Sequence, residues 1–178
     1  MSAELDIRVS TRPSRVKTHP AKADISILLG NDEWPELKTY RLFQRCFVAA
    51  CSPSFKKAEK IDSHKSLNGQ TLIVHENKAD AWDLWAKQLG VPAPVPNKLM
   101  RFDSMSEIAR AAEQGLGVAL VSWPLSADWF RNGALTRVFD DEIETDDYFY
   151  LAHRPEDEAR VEVKNLTDWM LDELKDVA

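Results

Sequence analysis

From residue 71 onward the chain alternates short apolar runs with capped runs of helical period, and this alternation restricts its fold more than any other feature. Residues 71–74 read as a strand. Asp80 then opens a helix in which Trp82, Leu84, Trp85 and Leu89 recur mainly at helical spacing until Gly90 stops it. Beyond the stiff connector bearing Pro92, Pro94 and Pro96, residues 98–102 return to a strand pattern. Asp103 or Ser104 caps a helix over 105–114, with Glu107 three residues after Ser104 as in a capping box, and Gly115 ends it before the apolar strand 118–121. Strand, helix, strand, helix, strand is the order of an α/β protein with mostly parallel pairing.

The flanking segments fit the same class. Leu5, Ile7 and Val9 alternate with polar residues and predict a strand, as do 23–29, closed by Gly30, and 41–51, stopped by Ser52-Pro53. A short helix is expected within 61–69. Pro124 suits the first turn of a helix ending at Asn132-Gly133, and 135–139 and 148–152 read as separate β segments. The last helix spans about 156–174, with Val163, Leu166, Trp169, Met170 and Leu174 as its apolar stripe.

Charge and motifs exclude several kinds of function. With 29 acidic and 23 basic side chains the net charge is -6, which opposes binding to a phosphate backbone. Cys46 and Cys51 lie on one strand, on opposite faces and beyond disulfide reach, as expected of a reduced cytoplasmic protein. No apolar run approaches the ~18 residues of a membrane span, and Glu4 and Asp6 occupy the place of a signal peptide's basic and apolar regions, so neither secretion nor membrane insertion is expected. Gly115-Leu116-Gly117 lacks the third glycine and the preceding strand of a dinucleotide fingerprint. His75-Glu76 lacks the second histidine of a zinc-protease helix, so no metal and no cofactor is expected. No nucleophile elbow or activated thiol is present, so no enzymatic activity and no catalytic residues are expected. The acidic run Asp140-Asp141-Glu142 with Asp146-Asp147 lacks the calcium-loop pattern and reads as a solvated turn.

Several segments together resemble one family. Ala23-Asp24-Ile25-Ser26-Ile27-Leu28-Leu29-Gly30, Trp34-Pro35, Arg41-Leu42-Phe43 and Ala49-Ala50-Cys51-Ser52-Pro53 are similar to the effector-binding domain of LysR-type transcriptional regulators, in the subgroup that includes the glycine-cleavage activator. Phe102-Asp103-Ser104, the stretch Ala111 through Leu120 and Asn132-Gly133-Ala134-Leu135 resemble the family's second-lobe helix, hinge strand and next turn. The resemblance implies an α/β fold of the two-lobed periplasmic-binding-protein type II class. Lobe one with the return segments would take residues 1–45 and 122–178, the boundary of the return being left open, and residues 46–121 would form the core of lobe two. The crossings would fall near Gln44 to Val48 and Ala119 to Ser122.

The same resemblance implies a small-molecule effector, homo-oligomerisation, and DNA binding only through a winged helix-turn-helix that nothing before Ser10 supplies. A full member also has a strand and helix ahead of Leu5. The chain is therefore expected to be an effector domain lacking the first βα unit of lobe one, with an incomplete pocket. Candidate ligand contacts carried over by position are Ser10, Thr11, Gln44, His75 and Ser104. His75 also follows the rule that α/β proteins bind ligands beyond strand carboxyl ends. The helix over 105–114, through Met105, Ile108, Ala109 and Ala112, is the expected lobe-two face of the oligomer. A free-standing solute-binding protein and a small α/β enzyme are the alternative readings.

Overall fold

The computed structural model describes residues 9, 19–31 and 34–175. Residues 5–8 of the strand expected at 5–9 and the candidates Ser10 and Thr11 lie outside the described residues. The chain divides into two units, Met1–Arg45 with Thr145–Ala178, and Cys46–Glu144. Two long strands, β2 (Lys38–Cys51) and β6 (Thr136–His153), carry the chain from one unit to the other.

In the first unit β6 lies between β1 (Ser26–Gly30) and β2. β1 pairs antiparallel with β6 along its whole length, from Ser26 opposite Ala152 to Gly30 opposite Tyr148. Leu28, Trp34, Tyr150 and Ala152 pack on one face of this sheet, with Trp34 edge-on to Tyr150. Gly30 is required here because a Cβ would stand 2.9 Å from the Trp34 indole. A 3-10 turn at Pro155–Asp157 precedes the final helix, which buries Val163 and Thr167. Its Trp169 is 57% exposed and so is not part of the apolar stripe expected from spacing.

The second unit has the order β2, β5 (Val118–Trp123), β3 (Thr71–His75), β4 (Lys98–Phe102). β3 is parallel to both neighbours, whereas β2 and β5 are antiparallel. Parallel pairing is thus confined to the three strands joined through helical crossovers, as crossover geometry demands. Residues alternate between two cores, one containing Leu72, Val74, Trp82 and Trp85, the other Ile73, Ala119 and Val121. Helix α3 (Met105–Glu113) covers the second of these and buries Ile108, Ala109, Ala111 and Ala112 completely or nearly so. Its apolar stripe is spent on its own unit, so Ile108, Ala109 and Ala112 cannot form the oligomer face expected of them.

Local signals explain most of the other elements. Ser52 caps α1 (Pro53–Ala58) by accepting a hydrogen bond from Phe55 N at 3.3 Å, with Pro53 in the first turn; the Ser52-Pro53 pair starts a helix as well as ending a strand. Helix α2 (Ala81–Leu89) ends in the left-handed Gly90. A 3-10 helix at His64–Leu67 replaces the short helix expected in 61–69. A short helix, α4 (Ala127–Arg131), precedes Asn132-Gly133, and the last helix is α5 (Val161–Leu174). The acidic run belongs to β6, which continues through it as one strand and buries Ile143 and Asp147. It is therefore not the solvated turn expected. The return to the first unit falls at Glu144–Thr145, later than Ala119–Ser122, because Val118–Trp123 remains hydrogen-bonded between β2 and β3 within the second unit.

Candidate functional site

The carboxyl ends of β3 and β4 lie side by side in the second unit, with His75 paired to Phe102. His75 and the loop that ends at Ser104 are therefore brought to one end of one sheet. The His75 Nδ1 accepts from Asn77 N at 3.2 Å and caps the 3-10 turn Glu76–Lys78. Ser104 occupies the N-cap of α3 with extended backbone, but its hydroxyl makes no capping hydrogen bond, and the capping box expected with Glu107 does not form. The half-buried Ser104 hydroxyl thus stands at the first turn of α3 without serving that turn. Helix starts of this kind present backbone N–H groups and a partial positive charge to anions.

Gln44 is in the first unit. Its Nε2 donates to Thr145 O at 2.8 Å, and the neighbouring Thr145 Oγ1 donates to Arg45 O, also at 2.8 Å. Arg45 forms an ion pair with Asp147 at 2.7 Å, the two side chains being only 18% and 10% exposed. Three side-chain links therefore join β2 to β6 at residues 44–45 and 145–147, where the chain leaves the first unit. Gln44 contributes to this staple, of which the sequence reading did not single out Arg45 and Thr145 and placed Asp147 in a solvated turn. The pairs are about a hundred residues apart in the chain, and no local pattern announces them.

Two further polar clusters lie elsewhere. In the second unit a groove of about 410 Å³ is lined by Lys56, His64, Arg137, Phe139 and Asp141, among others. Its charges are largely spent internally: His64 Nε2 meets Asp141 at 2.8 Å, Arg137 meets Glu142 at 2.6 Å, and Lys56 Nζ donates to Arg137 O. In the first unit Arg154 ties Pro20 O and Ala21 O to Asp157. The hydrogen bond from Arg154 holds the Asp157 carboxyl below its ordinary range; burial opposes this and Arg160 adds to it.

Neither cysteine is an activated nucleophile. Burial pushes the Cys51 thiol up to about 11 against the lowering influence of Lys56. Cys46 is raised by burial and then by Glu142 and Glu144. Among the described residues no group of three or more His, Cys, Asp or Glu side chains is arranged to hold a metal ion. No helix among them is long and apolar enough to cross a membrane.

Comparison with known proteins agrees with this architecture. The HTH-type transcriptional activator AmpR of Pseudomonas aeruginosa is 30% identical over 146 residues, which cover 82% of this chain and 48% of that protein. The glycine cleavage system transcriptional activator of Escherichia coli K12 is 23% identical over 168 residues, covering 94% of this chain and 55% of that protein. The chain spans about half the length of the curated relatives it matches. Among solved structures, the effector domain of Pseudomonas aeruginosa AmpR superposes with a TM-score of 0.70 at 26% identity, covering 85% of this chain and 72% of that one. The AmpR effector binding domain of Citrobacter freundii shares the fold, with a TM-score of 0.71 at 21% identity, over 86% of this chain and 75% of that one. The LysR substrate binding domain family matches residues 3–175, nearly the whole sequence, and the chain belongs to that family.

Proposed function

We propose that this chain is the effector-sensing part of a LysR-type transcriptional regulator, and that it binds a small metabolite at the carboxyl ends of β3 and β4. The observation that carries this reading is the Ser104 hydroxyl, which sits half-buried at the start of α3 and makes no capping hydrogen bond while His75 is carried to the same sheet end. A ligand carboxylate placed there would take the open amides of α3 and the Ser104 hydroxyl, and His75 would border it. Such a group meets the positive end of the helix dipole, an arrangement suited to anions.

Ligand binding to one conformation would shift the population between states of the assembly and so alter transcription. That output, like DNA binding and homo-oligomerisation, belongs to the proposal. The reading contains no chemical step: the chain holds and releases a ligand without transforming it. Isothermal titration calorimetry against a panel of amino acids and small carboxylates tests it, with Ser104→Ala as the paired variant. The expected result is saturable binding of at least one member, weakened about tenfold in the variant, equivalent to loss of one hydrogen bond to a charged group. Equal affinity in the variant would remove Ser104 from the site.

A further inference from the structure

We propose that the Ser122 hydroxyl is a specificity-determining contact for the effector, so that the ligand carries, besides a carboxylate, a second hydrogen-bonding group several bonds away from it. This assignment rests on the effector-sensing reading and adds to it the class of ligand. Ser122 is 3% exposed, and its Oγ is buried without a hydrogen-bond partner. The backbone of the residue is used, since its C=O accepts from Ser126 N at 3.0 Å and it pairs with Phe47 of β2. The hydroxyl is not. Residues 118–121 ahead of it are buried and wholly apolar, and alternation sets Ser122 on the face of Leu120, in the core that holds Val74 and Trp82. A hydroxyl in such surroundings lowers stability where alanine would not.

Its position in the sheet supplies a reason for it. The buried orphan atoms of Trp85 and Thr167 belong to the middles of α2 and α5, whereas Ser122 lies at the carboxyl end of β5. β5 runs parallel to β3, with Leu72 level with Val118 and Ile73 with Ala119. Carried forward, this register sets His75 level with Val121 and Ser122 one residue beyond the end of β3. There the chain turns away through Glu76–Lys78, whose side chains are all exposed, and the ligand enters over this turn. Because β4 is also parallel to β3, Ser122 belongs to the sheet end that carries His75 and the loop to Ser104.

A hydroxyl both donates and accepts, so Ser122 can take an ammonium, a hydroxyl or an amide. Away from water such a bond is stronger, and a ligand lacking the matching group is rejected more strongly. β3 lies between β5 and β4, which sets those two strands about 10 Å apart at the usual spacing. A ligand whose carboxylate meets the start of α3, just after β4, therefore reaches Ser122 with a group at the far end of a short chain. Carboxylates with a distal amino, hydroxyl or amide group fit this description, and plain alkyl acids do not.

Isothermal titration calorimetry of the whole chain compares matched probes, δ-aminovalerate with valerate and L-glutamine with L-norvaline, the second of each pair lacking the distal polar group. In the parent at least one polar probe should bind more tightly than its counterpart by about tenfold, the size of one buried hydrogen bond. In Ser122→Ala that gap should close, the polar probe losing about tenfold and the alkyl probe unchanged, whereas Ser104→Ala should weaken both members of the pair alike. Thermal melts give a readout without ligand: Ser122→Ala should melt no lower than the parent, because the hydroxyl it removes has no partner. Equal affinities within both pairs, a gap that survives in Ser122→Ala, or a clear fall in that variant's melting temperature would each overturn the proposal. Binding that Ser104→Ala weakens while Ser122→Ala leaves the gap intact removes Ser122 alone and keeps the sensing reading. No binding by any of the four probes overturns the proposal, and the sensing reading falls with it only if the wider panel of amino acids and small carboxylates is silent too.

Discussion

Replacing Gly117 with alanine tests the packing of β5 against the start of β3. A Cβ at Gly117 would stand 2.3 Å from Thr71 O and 3.0 Å from both Thr71 C and Cγ2, contacts made largely with backbone that cannot rotate away. Relief to 3.0 Å requires the start of β5 to move at least 0.7 Å from the start of β3. A backbone hydrogen bond of about 2.9 Å stretched by that amount reaches about 3.6 Å and ceases to count as one. The β3–β5 pairing has only two registered pairs, Leu72 with Val118 and Ile73 with Ala119, so little ladder remains to absorb the shift. Losing one or two such bonds at about 1 kcal/mol each, together with overpacking strain of about 1–3 kcal/mol, gives a destabilisation of about 3 kcal/mol. For a chain of this size that corresponds to a melting temperature lower by about 6–12 °C.

Gly69→Ala is the internal comparison for that experiment. Its φ of +78° makes a side chain unfavourable, but nothing lies within 4 Å of the new Cβ, so it should cost about 1–2 kcal/mol. Urea unfolding followed by tryptophan fluorescence measures both variants. If Gly117→Ala were no less stable than Gly69→Ala, the close approach of β5 to the start of β3 would be refuted.

Other variants test separate parts of the structure. Arg45→Met leaves Asp147 buried without its ion-pair partner and should cost about 3–5 kcal/mol, whereas Arg45→Met with Asp147→Leu should recover much of it; denaturant melts of both decide whether the pair acts as one unit. Ser52→Ala should cost about 1 kcal/mol by removing the α1 cap, while Ser104→Ala, which removes no cap hydrogen bond, should leave the melting temperature nearly unchanged. Cys51, raised to about 11 by burial, should resist iodoacetamide at pH 8 in the folded chain and react fully in urea, as a mass shift would report. Asp157 titrates lower in the folded chain than in the unfolded one. Its stabilisation is therefore present above the unfolded value of about 4 and is lost as pH falls through the folded one. Asp157→Asn should accordingly flatten the acid limb of a stability profile measured between pH 6 and 2, and an unchanged limb would remove Arg154 as its cause.

The parts of the fold governed by neighbouring residues were legible in the sequence. Residues 98–102 form β4 as expected, and Gly90 and Gly115 both adopt positive φ where helices stop. Asp147 was not legible because its burial depends on Arg45, a hundred residues earlier, so an acidic stretch that continues as strand resembled a turn. Trp169 satisfied helical spacing, yet spacing gives a face without saying how far the covering surface extends. The placement of two candidates was legible to the same degree. Strand ends bring His75 and the loop that ends at Ser104 to one end of one sheet, while the staple joining Gln44, Arg45, Thr145 and Asp147 is created by pairing between distant strands.

The most direct test of the sensing role is a two-dimensional amide NMR titration of the isotopically labelled chain with glycine, other amino acids and small carboxylates. Saturable shifts for at least one of them should concentrate at residues 75–77 and 103–106, and Ser104→Ala should weaken them while leaving the remaining spectrum in place. Saturable shifts confined to other surfaces, or none from any probe at 10 mM, a concentration that reaches affinities of only about -3 kcal/mol, would contradict the account.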